Sequence, residues 1–165
     1  MKKTSDGVYI AEDNVVKINR QNIDFIKNEA INSDKQRARI CAHLSADHTV
    51  HEMLIALTDQ TYVQPHRHLK TFESFHVIEG NILVYLFSQD GKLSETIELS
   101  DYTSNSIFFY RLSPGIFHTI KVKSQIAVIH ETAQGPFDPL NTEFAKWAPP
   151  ESDKKSAAKF MSSLL

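Results

Sequence analysis

The sequence predicts an all-β fold, a sandwich or jelly-roll barrel, with a short helix at each end. Three observations carry this. Between about residues 50 and 132, short runs rich in Val, Ile, Phe, Tyr and Thr alternate with turn residues. Ser88-Gln89-Asp90-Gly91 separates two such runs, and Asp-Gly supplies the positive φ angles of a tight hairpin. Few helical patterns intervene, as a sandwich or barrel requires.

The elements follow in order. Short β segments are expected at 8–10 and 15–18. Asn19 or Asn22 is placed to cap a helix running to about Ala30, with Ile23, Ile26 and Ala30 on one face. Asn32-Ser33-Asp34 reads as a turn. Strands are expected near 51–58, 61–66, 73–79, 82–87, 95–99, 107–111, 117–123 and 126–132. Glu79-Gly80-Asn81 reads as a second hairpin turn. Residues 133–153 form an irregular strap, with Phe137, Phe144 and Trp147 as anchors onto the barrel. Ser152 or Asp153 caps a terminal helix at roughly 154–164. One domain is expected: an arm and helix (1–50), a barrel (51–132), and a strap and helix (133–165).

Composition narrows the function. The chain has 165 residues, 18 Lys+Arg and 20 Asp+Glu, a formal charge of −2. That offers no long-range attraction to nucleic acid or an anionic membrane. One Cys excludes a disulfide framework and a thiolate zinc cluster. No run of 18 apolar residues is present, and Asp6, Glu12 and Asp13 interrupt any signal-like segment, so a cytoplasmic location is expected. Cys41 reads as an inert, partly buried thiol. Eight histidines remain to be explained.

The informative stretch is Pro65-His66-Arg67-His68-Leu69-Lys70-Thr71-Phe72-Glu73, followed by Gly80. Alternate residues of a strand share a face, so His66 and His68 project together with Cα atoms ~6.6 Å apart. Glu73 follows after enough chain to return on a neighbouring strand. His118 is the candidate third imidazole, because Pro114-Gly115 makes a turn that feeds its strand. Chance gives roughly 0.4 His-x-His pairs in such a chain, but only roughly 0.0007 with Glu and Gly at the required offsets. An isolated strand histidine is more often hydrogen-bonded packing. The full spacing argues against that here.

The pattern His66-x-His68-x(4)-Glu73-x(6)-Gly80 resembles the first cupin motif, and Pro114-Gly115-x-x-His118 resembles the second. The resemblance implies a double-stranded β-helix (the cupin jelly roll) holding one divalent transition metal on His66, His68, Glu73 and His118. More narrowly, 61–68, 73–80, Gly135-Pro136-Phe137 and Trp147-Ala148-Pro149 look like the WbuC family of cupin-fold metalloproteins. That likeness runs from about residue 37 to 151. The family is associated with bacterial surface-polysaccharide gene clusters.

Three imidazoles and a carboxylate leave two open positions on a six-coordinate Fe, Mn, Ni, Co or Zn ion. Such a site suits a metal-dependent isomerase or epimerase acting on a small carbohydrate or other oxygenated metabolite, or an Fe(II) dioxygenase. The alternative is a non-catalytic metal- or ligand-binding module. His51 and Tyr110 are the candidate proton-transfer residues, and Arg39 and Arg111 the candidate substrate-binding cations. His76 has the opposite parity to Glu73 and should point away from the ion. One of His130 and Glu131 faces inward. His43 and His48 lie in a polar loop and are expected to be solvated. The expected partner is a small-molecule substrate, with neither nucleic acid nor membrane. The β segments at 8–18 are candidates to join a second copy's sheet as a homodimer.

Overall fold

Strand alternation sorts the apolar side chains into two sets, one facing between the sheets and one facing the helices. The computed structural model describes residues 1–164, so Leu165, the end of the 133–165 segment, lies outside the described residues. Twelve strands are present: β1 (Lys2–Ser5), β2 (Val8–Ile10), β3 (Arg37–Cys41), β4 (Val50–Thr58), β5 (His66–His68), β6 (Glu73–Glu79), β7 (Asn81–Phe87), β8 (Leu93–Ser100), β9 (Phe109–Leu112), β10 (Phe117–Val122), β11 (Ile126–Gln134) and β12 (Thr142–Phe144). They form a seven-stranded sheet, β1-β2-β3-β4-β11-β6-β9, and a five-stranded sheet, β12-β5-β10-β7-β8. This is the double-stranded β-helix expected from the motif.

Met53, Ile55 and Leu57 of β4 meet Ile82, Val84 and Leu86 of β7 in the inter-sheet core. The alternate residues pack outward. Ala56 and Val128 pack with Ile23, Ile26 and Ala30 of helix α1 (Arg20–Asn32), which is capped by Asn19. Tyr85 and Phe87 pack with Met161 and Phe160 of helix α2 (Lys154–Ser162), capped by Asp153. No helix among the described residues is long and apolar enough to cross a membrane.

Several expectations are corrected. Residues 15–18 form no strand, and 61–66 is irregular until His66. β3 and β12 were not anticipated, because a five-residue strand containing two arginines and a three-residue strand give little periodic signal. Val8–Ile10 pairs with β1 and β3 of its own sheet, which makes β1 the edge strand there. Gly80 does take positive φ (86°), but β6 and β7 lie in different sheets, so the turn is a crossover and not a hairpin. The 88–91 turn is the expected hairpin between β7 and β8. Of the strap aromatics only Trp147 anchors, against Phe87 and Phe117. Phe137 and Phe144 are exposed.

Candidate metal centre

The site begins with a three-residue strand. In β5, His66 and His68 face inward and Arg67 outward, where its Nη2 pairs with Glu143 Oε2 at 2.7 Å and its guanidinium covers the Phe117 ring. His118 of β10 stands in register opposite His66. The Pro114-Gly115 turn is tied down by the Gly115 N–H, which donates to the His68 carbonyl at 2.7 Å. Glu73, the first residue of β6, reaches in from the opposite sheet and is buried. One ligand atom from each of His66, His68, Glu73 and His118 lies within 4.8 Å of every other.

Backbone carbonyls set the imidazoles for ligation. His66 Nδ1 lies 3.0 Å from the Gln64 carbonyl, and His118 Nδ1 lies 3.0 Å from that of Ile116. A carbonyl only accepts, so each Nδ1 carries a proton and each Nε2 is the atom turned toward the cluster. The buried His118 Nε2 has no hydrogen-bond partner among the described residues. It sits 2.8 Å from Glu73 Oε1, but not in hydrogen-bond geometry. His68 Nε2 lies 3.1 Å from Glu73 Oε2. An orphaned buried imidazole nitrogen among three others' donor atoms fits a divalent transition ion.

The ionisable groups of the site act strongly on one another. Burial pushes the Glu73 carboxyl up, but His118, His68 and His66 together hold it well below its ordinary value. Burial pulls His118 down, and the adjacent Glu73 more than restores it. Burial, with His118 beside it, lowers His66 to about 4, so this imidazole is neutral at pH 7.

Tyr110 donates its hydroxyl to Glu73 Oε1 at 3.2 Å. Burial and the Glu73 charge hold the phenol well above its ordinary value. Its hydroxyl is therefore held on Glu73 and remains protonated. His51 shares the inward parity of Met53 and stands level with Glu73 through Ala133, two strands away, but its ring turns to the loop. It is buried against the loop, its Nε2 on the Ala46 carbonyl at 3.1 Å and its ring stacked on His43. Arg111 alternates with the buried Tyr110 and Leu112, points outward and lies over Phe72. Neither His51 nor Arg111 lines the cavity. His76 points away from the site, against Phe108, as expected. His43 is half-buried rather than solvated.

The cavity that holds the four ligands has a volume of about 480 Å³. It runs from the ligand cluster along the inner face of the larger sheet to Arg37 and Arg39 of β3. Glu131 lines it and was not anticipated as a site residue. Its neighbour His130 faces outward, 3.7 Å from Glu52. The deciding signal was parity: Glu131 lies two residues beyond the core residue Ile129. Burial, reinforced by Glu73, pushes Glu131 up to about 8. Phe144 and Thr142 of β12 close one wall, with Thr142 Oγ1 3.4 Å from His68 Nδ1.

A family model described as a domain of unknown function (DUF6016) matches residues 18–99, just under half of the chain. No curated protein matches. Among solved structures, oxalate decarboxylase from Bacillus subtilis is similar at 15% identity and a TM-score of 0.51, covering 66% of this chain and 27% of that one. A protein from Shewanella oneidensis is similar at 13% identity and a TM-score of 0.50, covering 59% and 63%. The chain thus spans less than two thirds of either neighbour's length. At these identities the likeness concerns the fold alone. Together with the two-sheet topology and the convergent His66, His68, Glu73 and His118, it gives this chain the cupin fold.

Proposed function

We propose that this protein is a divalent-metal-binding cupin that transfers a proton on a small carbohydrate or related oxygenated metabolite, as an isomerase or epimerase does. The observation that carries this is the ligand cluster, in which two carbonyl-oriented imidazoles turn their Nε2 atoms toward Glu73. His66, His68, Glu73 and His118 would hold the ion. When bound, the ion supplies a Lewis acid that polarises a chelating hydroxyl–carbonyl pair.

The chain's own residues supply the rest. Tyr110 holds Glu73 in place. Phe75, Ile129 and Val63 keep the cavity apolar and restrict water. Glu131 is the group placed to carry a proton, since a carboxyl that titrates near 8 exchanges protons readily at neutral pH. It takes the role that the sequence suggested for His51. The likeness of 37–151 to the WbuC family supports a cytoplasmic step in surface-polysaccharide synthesis.

The test incubates zinc-, manganese- and iron-loaded protein with sugars and sugar nucleotides in D2O. Deuterium incorporation that is lost in His66→Ala and Glu131→Gln supports the reading. Substrate-dependent O2 uptake with iron would replace it by dioxygenase chemistry. Saturable binding with no turnover would replace it by a binding module.

A further inference from the structure

Three cations stand where the cavity opens past the β1–β2 turn: Lys35, Arg37 and Arg39. Two are already paired. Lys35 Nζ lies 2.9 Å from Glu151 Oε2, and Arg37 Nη2 lies 3.0 Å from Glu151 Oε1. Asp6 at the same rim is also engaged, accepting the Asp34 N–H at 3.0 Å. Arg39 is different. Among the described residues no carboxylate stands within ion-pairing distance of its guanidinium.

Register explains why this free cation faces the cavity. Arg39 pairs with Ile55 on β4, and Ile55 pairs with Ile129 on β11. Both isoleucines belong to the inter-sheet core, so Arg39 shares their inward parity. Ala38 and Ile40, on the opposite parity, are buried against α1. The exposure of Arg39 is therefore exposure to the cavity mouth. Val77 of β6 stands in the same row as Arg39, three strand steps away or ~14 Å at ~4.8 Å per step, and Glu73 lies four residues further along β6, another ~13 Å at ~3.3 Å per residue. The floor between them is apolar, made by Ile55, Ile129 and Phe75. Glu131 lines the same cavity between them, outside ion-pairing distance of Arg39 among the described residues.

A cavity with a metal-ligand cluster at one end, an apolar floor and an unpaired guanidinium at the other selects a bipolar ligand. We propose that Arg39 anchors an anionic group, a carboxylate or a phosphate, on a metabolite whose oxygenated end reaches the His66–His68–Glu73–His118 cluster. This names the substrate class of the reading above and rests on it. The substrate is a sugar acid, a sugar phosphate or a molecule of that kind. The planar guanidinium fork suits either anion bidentately.

The test uses the full chain, 15N-labelled and freed of metal by a chelator, so that anions cannot bind the ion. Inorganic phosphate and acetate are titrated separately to about 50 mM, a range that captures weak binding. Saturable shifts of the Arg39 Nε–H and of the Gly7 and Val8 amides are expected. Arg39→Gln should weaken them at least about tenfold, and Arg39→Lys by less. Tighter phosphate than acetate binding assigns a phosphate-bearing substrate; the reverse assigns a carboxylate. No saturable shift, or one unchanged in Arg39→Gln, overturns the proposal. Zinc affinity is measured in parallel on both proteins. Loss of zinc binding by the unaltered chain overturns the metal reading, whereas unchanged zinc binding with no anion effect overturns this inference alone.

Discussion

His118 faces His66 across the single registered pair that joins β10 to β5, with ring centroids 4.5 Å apart. Two imidazoles this close, each with its Nδ1 on a backbone carbonyl, direct both Nε2 atoms to one point. Replacing His66 by Ala removes one donor and should weaken zinc binding by at least about 100-fold, more than loss of an outer partner does. Saturating zinc at about 100 times its Kd should stabilise the unaltered protein by about 2.7 kcal/mol, and that gain should vanish in the variant. Competitive titration and thermal unfolding measure the two.

Tyr110→Phe keeps the ring and removes the hydroxyl that Glu73 accepts. Metal affinity should fall by about 10- to 100-fold while the fold persists. Removing a donor to a charged group should cost about 1.5–3 kcal/mol of metal-free stability. A variant that binds zinc as tightly as the parent would show that Tyr110 does not orient the ligand.

Glu131 should leave a signature in the pH dependence of the metal-free protein. Its carboxyl is raised to about 8 in the fold, above its ordinary value, so the folded state holds the proton more tightly. Its contribution is full below about pH 4.5 and is lost as pH rises through about 8. Glu131→Gln should abolish that loss. The variant should therefore gain stability relative to the parent between pH 5 and 9, as read by urea unfolding in chelator.

Gly91→Ala tests the hairpin. Gly91 has φ +83°, and a Cβ there would approach Trp147 Cδ2 to 2.7 Å. The left-handed backbone alone costs about 1–2 kcal/mol, and the contact adds to it. Trp147 is the chain's one tryptophan, so its emission should shift while zinc affinity stays constant. Unaltered emission would mean that the turn moves independently of the strap.

Arg111→Ala should leave metal and anion binding unchanged. It removes only the stacking over Phe72, 3.9 Å from guanidinium to ring centre, worth about 0.5–1 kcal/mol at an exposed site. A change in phosphate or zinc binding would return Arg111 to the site.

Spacing made the ligands legible because a β period of two fixes parity within a strand. His66, His68 and Glu73 need only that rule and one turn, and His118 needs only a registered partner. Asn19 and Asp153 were legible as caps for the same local reason. What lay beyond reach depends on long-range pairing. Arg111 and Arg39 are chemically alike, yet only the pairing of β3 with β4 turns one into the cavity, and β9's alternation turns the other out. His51 had the right parity and stands level with Glu73 through Ala133, but the Ala46 carbonyl and the His43 ring hold it at the loop. Glu131 against His130 was a one-residue ambiguity that neighbouring strands alone resolve. The strap's β12 exists because β5 offers it an edge, not because residues 142–144 favour a strand.

Glu73 comes from one sheet and the three histidines from the other. An ion held by all four would therefore rivet the two layers at the place where ladder bonding is sparsest. β5 is only three residues long and meets β10 at one registered pair. Backbone amides of His66–His68 and of Glu73 should then exchange with solvent as one cooperative opening unit, slowed together when zinc is added. Loading would tighten the walls around the same space a metabolite must enter, so ion occupancy and access to the cavity are mechanically linked.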